Sequence, residues 1–569
     1  MLGSIEQWFE SRCKQAPQIL LIIFFLTASL LFVLRSLLIE YPLCLPDELI
    51  YIFFSKFFRD WSILKENFFT SNMPNNAFFQ MYHLLFGLGE NSLLAARILN
   101  SILFSFSIFP LYAISRFFLR PFKALIVSLL CLAFPINSYI SYFMPEIFYF
   151  LLFYFLIYVI ILLSPYRYRL MLLSAAIIIS LLSLVKPQAN ILLLPSIIIF
   201  SIIGFKTHRI NTINLIIKLL LYFLIPFFIA RFILLSMLYS SNYFTFGSIY
   251  DYLIKATANY LHYYNIVTIA SLVMGHIYYM LTLWFIPIFT LIVIAYNINL
   301  QSLQLSGQIR LRHLAWLLTT YLLTIIFTTS LFTAAVSGLG PYEHASRLHG
   351  RYFNFLFPLL IICTFAATRD LEYRLNKRDC YIKYYYSALV ISIFLMAKFL
   401  ANKYTFGLVD YPELFWLNNL SSEALFIYLA LGLSGSLFFV FSRSNRLHAY
   451  IAFLLLTLIM SSWYAVTEQV QMSKPSEHDR AGLVLKNFIS GSDLASGYII
   501  REPEDIKIFR TLYQLGIPVK YADIPATIEI IPQMIPKATK WLLILGTHRL
   551  GFEPKQSLCA DDYKIIKLD

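Results

Sequence analysis

Two adjacent carboxylates, Asp47 and Glu48, stand in Leu45-Pro46-Asp47-Glu48-Leu49-Ile50-Tyr51, directly after the first long apolar run. Further along come Arg97 in Ala96-Arg97-Ile98, Glu146 in Met144-Pro145-Glu146, and Lys186 in Val185-Lys186-Pro187-Gln188. Last is the stretch Glu343-His344…Arg347-Leu348-His349-Gly350-Arg351-Tyr352, with Arg231 between. A carboxylate can take the proton of an incoming hydroxyl, while cations hold a leaving group that is already anionic, such as a phosphate. A hydrolase with two carboxylates would need an acid as well as a base. Here bases outnumber the carboxylates near them, which favours group transfer from phosphate. Each residue also has a plain alternative. Carboxylates can cap a span, and a Lys or Arg at a span end can snorkel to the interface.

The elements that carry these residues are apolar. The chain has 569 residues, 59% hydrophobic and 13% charged, with mean hydropathy +0.71. A helix needs roughly 20 apolar residues to cross about 30 Å of hydrocarbon. The runs are long and continuous, which excludes an alternating barrel. The class is a polytopic α-helical membrane protein with about thirteen spans by that length rule: 17–38, 92–115, 124–143, 147–163, 169–185, 188–204, 213–235, 268–296, 314–335, 351–368, 384–401, 423–442 and 448–467. The N-terminal run follows Arg12 and Lys14 without a small-residue cleavage site and reads as an uncleaved first span. The six cysteines are irregularly spaced and form no metal motif.

Net charge is +14, concentrated in short loops. One loop set carries Arg12/Lys14, Arg116/Arg120/Lys123, Arg167/Arg169, Lys206/Arg209, Arg310/Arg312, Arg369–Lys383 and Arg443/Arg446. The alternate set carries Asp47/Glu48, Glu146, Asp251, Glu343 and Asp410/Glu413. The basic set is expected in the cytoplasm and the acidic set outside. The charge therefore needs no nucleic acid to explain it. Lys186 is an exception to that bias, a base at an outer turn held by Pro187. A phosphate partner explains it, as does snorkelling.

The first outer loop, about 40–90, holds aromatic patches at Ile52–Phe58 and Phe78–Phe86 that read as interfacial helices, as does Tyr239–Tyr264. Beyond residue 470 the chain becomes charged, with strand-like runs Ala495–Ile500, Ile517–Tyr521 and Trp541–Gly546 and helix-like stretches Arg480–Phe488 and Glu504–Leu515. This predicts a small α/β domain at 471–569. It sits outside the membrane, serving the acceptor, while 1–470 form the catalytic membrane module.

In order and sidedness, Pro46-Asp47-Glu48, Arg59-Asp60-Trp61, Ala96-Arg97, Met144-Pro145-Glu146, Val185-Lys186-Pro187-Gln188 and Gly350-Arg351-Tyr352 resemble one known group. It is the GT-C membrane glycosyltransferases that use polyprenyl-phosphate sugars. Closest in layout are the lipid A aminoarabinose transferases and the protein O-mannosyltransferases. The resemblance implies an inverting transferase in a bacterial inner membrane, with its site on the periplasmic or extracellular face. It moves a sugar from a polyprenyl-phosphate donor to a lipid, glycan or protein acceptor. Asp47 would match the family's acidic residue proposed as base. Glu48 and Glu146 would complete the catalytic set or hold a divalent cation, with no other cofactor. Arg97, Lys186, His349, Arg351 and Tyr352 would bind substrate. Aminoarabinose transferases carry a Lys before Pro in the first loop, where this chain has Met73-Pro74. That departure moves the expected phosphate contacts to Lys186 and Arg351.

Two other readings compete. Polymerases or ligases of pyrophosphate-linked glycans place key bases in a later outer loop, whereas the acidic pair here is in the first. Transporters and flippases show two similar halves and mid-membrane charge, and no internal repeat is visible. A reporter fused after Asp569 should be active only outside the cytoplasm. Cytoplasmic activity would reverse the sidedness of every residue above.

Overall fold

The structure is a computed structural model. It describes residues 16–43, 45–58, 75–238, 263–295, 305–337, 344, 346–377, 404, 407–415, 446–489, 493–503, 507–554, 556–560 and 562–568. Spans expected at 384–401 and 423–442, the stretch 239–262, Arg59-Asp60-Trp61, Met73-Pro74, Asp251 and Glu343 lie outside them. Seven described helices are long and apolar enough to cross a membrane, or eight if one bent pair counts as a span. They are Pro17–Leu37, Ser92–Arg116, Glu146–Leu163, Tyr168–Val185, Pro187–Lys206, Thr212–Leu238 and Leu305–Ala335. These helices make the chain an integral membrane protein. The run 124–143, expected as one helix, breaks instead into Pro121–Leu132 and a 3₁₀ turn, Pro135–Ser141, bent by 54°. Pro135 supplies the cause, since its ring clashes with the preceding turn and it lacks an amide. Helix Tyr263–Ala295 likewise kinks at Trp284, three residues before Pro287.

The chain divides into two compact units. The first comprises Met1–Val33, Asn100–Ile140 and Pro145–Thr467 and holds most of the apolar helices. Helices Glu146–Leu163, Tyr168–Val185 and Leu193–Lys206 follow one another with short turns, so neighbours run antiparallel. Their inward faces are fully buried at Phe153, Ile157, Met171, Ile179 and Phe200. Ile177, Leu194 and Ile198 stay exposed, as a helix in lipid requires.

The second unit is assembled from Leu34–Leu99, Ser141–Met144 and Glu468–Asp569. The C-terminal stretch therefore clusters with segments from far upstream. It forms strands β1 (Gly497–Arg501), β2 (Lys520–Asp523), β3 (Trp541–Leu545), β4 (Gln556–Cys559) and β5 (Tyr563–Lys567) in the order β2-β1-β3-β5-β4. The first three are parallel; β5 and β4 pair antiparallel. Central β3 is buried along its whole length, as its run of Trp-Leu-Leu-Ile-Leu demands. Helices Glu477–Phe488 and Ile508–Leu515 complete the α/β fold. The first begins with a capping box, in which Ser476 and Asp479 satisfy each other's backbone amides.

The aromatic patches of the first loop do not lie open to lipid. Phe53, Phe54, Phe78, Phe79 and Tyr82 are buried. Phe54 stacks on Phe79 at 5.3 Å, and Phe78 and Tyr82 close on Phe143 at 5.3 and 5.1 Å. Each ring finds apolar cover within the unit, which is worth more than half-burial at an interface.

Gly497 marks the tightest point of the sheet. A Cβ there would lie 1.9 Å from the Trp541 ring. Gly497→Ala should destabilise the unit by roughly 1–3 kcal/mol through overpacking, read as a lowered unfolding temperature. An unchanged temperature would mean that the ring does not lie over this glycine.

Candidate functional site

In the second unit, Asp47 and Glu48 fall in the first turn of helix Leu45–Lys56, where carboxylates complement the helix dipole. Their side chains part company. Glu48 is fully buried; one carboxylate oxygen accepts the Phe143 amide at 2.7 Å and the other accepts the Leu43 amide. The Arg97 guanidinium lies 3.6 Å away, also fully buried. Arg97 spends its remaining donors on backbone carbonyls: Ser141 at 2.7 Å, Ile39 at 2.6 Å and Tyr41 at 2.8 Å. This pair ties three separate stretches of chain together. With amides on both oxygens and a guanidinium beside it, Glu48 does not fit a cation ligand. Asp47, one residue earlier, is partly exposed.

In the first unit, Glu146 opens helix Glu146–Leu163 behind Pro145. Lys186 ends helix Tyr168–Val185 in an extended conformation (φ −142°, ψ 114°), as Pro187 after it requires. A carboxylate at a helix start and an ammonium at a helix end both suit the dipoles. The two helices are antiparallel, so the groups meet: Lys186 Nζ donates to Glu146 Oε1 at 2.9 Å, with both side chains buried. The second oxygen, Oε2, has no hydrogen-bond partner among the described residues. Tyr149, on the same helix face as Glu146, and Tyr352 place their rings 5.7 and 5.1 Å from the ammonium.

Tyr352 carries the cluster onward. The Arg351 guanidinium lies 5.3 Å from the same ring. Arg351 in turn stands 3.6 Å from Asp410, which also takes Arg347 Nε at 2.8 Å and meets His349 Nδ1 at 3.3 Å. Burial raises the Asp410 carboxyl, but His349, Arg347 and Arg351 outweigh it and hold the group well below the usual carboxylate range. Gly350 makes this approach possible. A Cβ there would sit 2.5 Å from the Tyr411 ring and 2.8 Å from the Asp410 carbonyl. Tyr139 pins the same turn through a 2.6 Å bond to the Val409 carbonyl. Burial pushes the nearby Glu413 carboxyl up to about 8.

Three permanent cations, Lys186, Arg347 and Arg351, thus share two carboxylates, Glu146 and Asp410. Glu413 is mostly neutral near pH 7. Cations, carboxylates and aromatic faces thus stand side by side in this cluster. Arg231 donates to Ser183 and to Asn190, the latter at 3.2 Å. Among the described residues, no group of three or more His, Cys, Asp or Glu is placed to hold a metal ion.

Glu146, Lys186, His349, Arg351 and Tyr352 therefore come together in one unit, and Asp47, Glu48 and Arg97 in the other. Sequence reasoning missed two participants. Asp410 was visible only as one acid among the outer loops, and Tyr149 only as one aromatic in an apolar helix. Its offset of three residues from Glu146 was the available signal.

No family model and no curated protein matches the chain. Among solved structures, ArnT from Cupriavidus metallidurans bound to undecaprenyl phosphate is similar in layout, with 11% identity and a TM-score of 0.44. The match covers 96% of this chain and 97% of that one. The apo state of the same protein gives 12% and 0.45 at the same coverage. Likeness of this degree says nothing about chemistry.

Glu48→Ala leaves Arg97 buried without its carboxylate and two amides without an acceptor. It should cost about 3–5 kcal/mol and show as loss of folded protein or a much lower unfolding temperature. Asp47→Asn, partly exposed and isosteric, should leave that temperature unchanged. Equal behaviour of the two variants would show that Glu48 is not the structural member of the pair.

Proposed function

We propose that the protein is a glycosyltransferase that moves a sugar from a polyprenyl-phosphate donor to a lipid, glycan or protein acceptor at the outer face of a bacterial inner membrane. One observation carries the reading: the buried Glu146–Lys186 pair, with a spare oxygen on one side and Tyr352 and Arg351 on the other. The ammonium is held between a carboxylate oxygen and two aromatic faces, with a guanidinium on the far side of one ring, a setting that suits a phosphate leaving group.

In the proposed reaction Asp47 takes the proton of the acceptor hydroxyl. The hydroxyl oxygen bonds to the anomeric carbon from the side opposite the phosphate. The anomeric C–O bond breaks, and its electron pair leaves on the polyprenyl phosphate. Lys186 and Arg351 stabilise that charge in the transition state. Glu146 orients Lys186, and Asp410 orients Arg351, Arg347 and His349. Glu48 and Arg97 hold the turn that presents Asp47. If a divalent cation takes part, Glu146 Oε2 is the oxygen left to bind it. The 471–569 stretch serves the acceptor.

Turnover of purified protein with polyprenyl-phosphate sugars tests the class; no glycosylated product with any donor would overturn it. Asp47→Asn should reduce turnover about 10²–10⁴-fold, the usual contribution of a general base. Near-normal turnover would remove Asp47 from that role. Lys186→Ala and Arg351→Ala should weaken donor use by about 2–5 kcal/mol, as expected for truncating a buried charged contact, and leave acceptor use nearly unchanged. An unchanged donor response in both would return these residues to interfacial anchoring.

A further inference from the structure

The opposite end of the first unit holds a second basic site that the proposed reaction does not use. Helices Glu146–Leu163 and Tyr168–Val185 join through the turn at Ser164–Arg167, and Leu193–Lys206 meets Thr212–Leu219 through Thr207–Asn211. Both turns lie at the end away from Glu146 and Lys186. They are stitched together. His208 Nε2 bonds the Ser164 carbonyl at 2.7 Å, and His313 bridges the Ser164 hydroxyl at 2.7 Å and Thr207 at 2.8 Å.

Between the turns lies a cleft of about 460 Å³, lined by Tyr166, Arg167, Arg169, Leu170, His208 and Lys218. Among the described residues, none of Arg167, Arg169 and Lys218 has a carboxylate within ion-pair distance. Arg169 is steadied by the Tyr222 ring, 5.4 Å from its guanidinium carbon. Three cations without a carboxylate partner around one cleft raise the local positive potential and favour an anion there.

The setting indicates where the anion comes from. Leu170 in the cleft lining, and Ile213, Ile216 and Ile217 on the helix that carries Lys218, are exposed apolar side chains, at 41%, 72%, 53% and 45%. Tyr166 is 66% exposed, an amphipathic ring of the kind enriched at headgroup depth. A soluble phosphate has no use for apolar surroundings, whereas a phospholipid presents its phosphate and its chains together. We propose that this cleft binds the headgroup of an anionic phospholipid. Arg167, Arg169 and Lys218 take the phosphodiester oxygens, and the acyl chains lie along the exposed leucine and isoleucines.

Protein in nanodiscs of mixed phosphatidylglycerol and phosphatidylcholine can be released and its retained lipids counted by native mass spectrometry. Wild type should keep phosphatidylglycerol preferentially. The preference should fall about fivefold for each cation removed, the equivalent of roughly 1 kcal/mol per base near an anionic surface. The variants are Arg167→Gln alone, which leaves the Tyr222 contact intact, and the triple change Arg167→Ala, Arg169→Ala, Lys218→Ala. A control triple, Arg116→Ala, Arg120→Ala, Lys123→Ala, removes the same charge from another loop and should keep the preference. Absence of preference in wild type, or equal loss in the control triple, overturns the site. Displacement of the lipid by low-millimolar inorganic phosphate would assign the cleft to a soluble anion and overturn the lipid reading.

Discussion

An ion buried in a membrane protein must bring its own solvent, and most of the specific geometry in this chain follows from that requirement. Hydrocarbon offers no hydrogen bonds, so each buried charge has to find oxygens, amides or an opposite charge within the protein. Glu48 and Arg97 meet the requirement completely. Carboxylate oxygens take amides, guanidinium nitrogens take carbonyls, and the two ions face each other. The result is a rigid knot of backbone. At Lys186 and Glu146 two aromatic faces join the ion pair, and Glu146 Oε2 accepts no hydrogen bond among the described residues. One physical rule thus produces two different pairs, one closed by backbone groups and one faced by aromatic rings.

The same rule organises the turn around Asp410. A carboxylate with no exposure is tolerable there because two guanidiniums and an imidazole converge on it. Asp410 is thereby kept ionised, and the arginines keep fixed directions. At Glu413, three residues later, burial dominates and the proton is retained to higher pH. Two buried acids in one short turn are driven in opposite directions by the balance of desolvation and neighbouring charge.

Much of this was legible in the sequence. Membrane class followed from run length, because hydropathy over some 20 residues is a direct reading of bilayer thickness. Strands β1, β2 and β3 were visible as short apolar runs. Strands β4 and β5 were not, since Gln556–Cys559 is exposed throughout and Tyr563–Lys567 is short and carries two lysines. The bend after Leu132 was hidden by unbroken hydropathy, although Pro135 marked it. At the sites, the sequence identified the ionisable residues but could not distinguish Asp47 from Glu48. That difference lies in which side of one helical turn faces the Phe143 amide, a contact 95 residues distant. Composition cannot encode such a contact.

The second unit's interleaved ancestry has a consequence for biosynthesis. Helix Leu45–Lys56 is completed by chain made 460 residues later, where Lys56 Nζ donates to the Gly516 carbonyl at 2.6 Å. Arg510 lies over the Tyr41 ring at 4.7 Å. A ribosome adding about 5–20 residues per second leaves the first loop without that partner for on the order of half a minute to a minute and a half. Through that interval its apolar helix must wait at the membrane surface, where the bilayer or a chaperone can shield it. The last hundred residues then act as a clasp. A nonsense mutation near the 3′ end of the reading frame would leave every described membrane-length helix intact, yet deliver a protein whose earliest loop never closes.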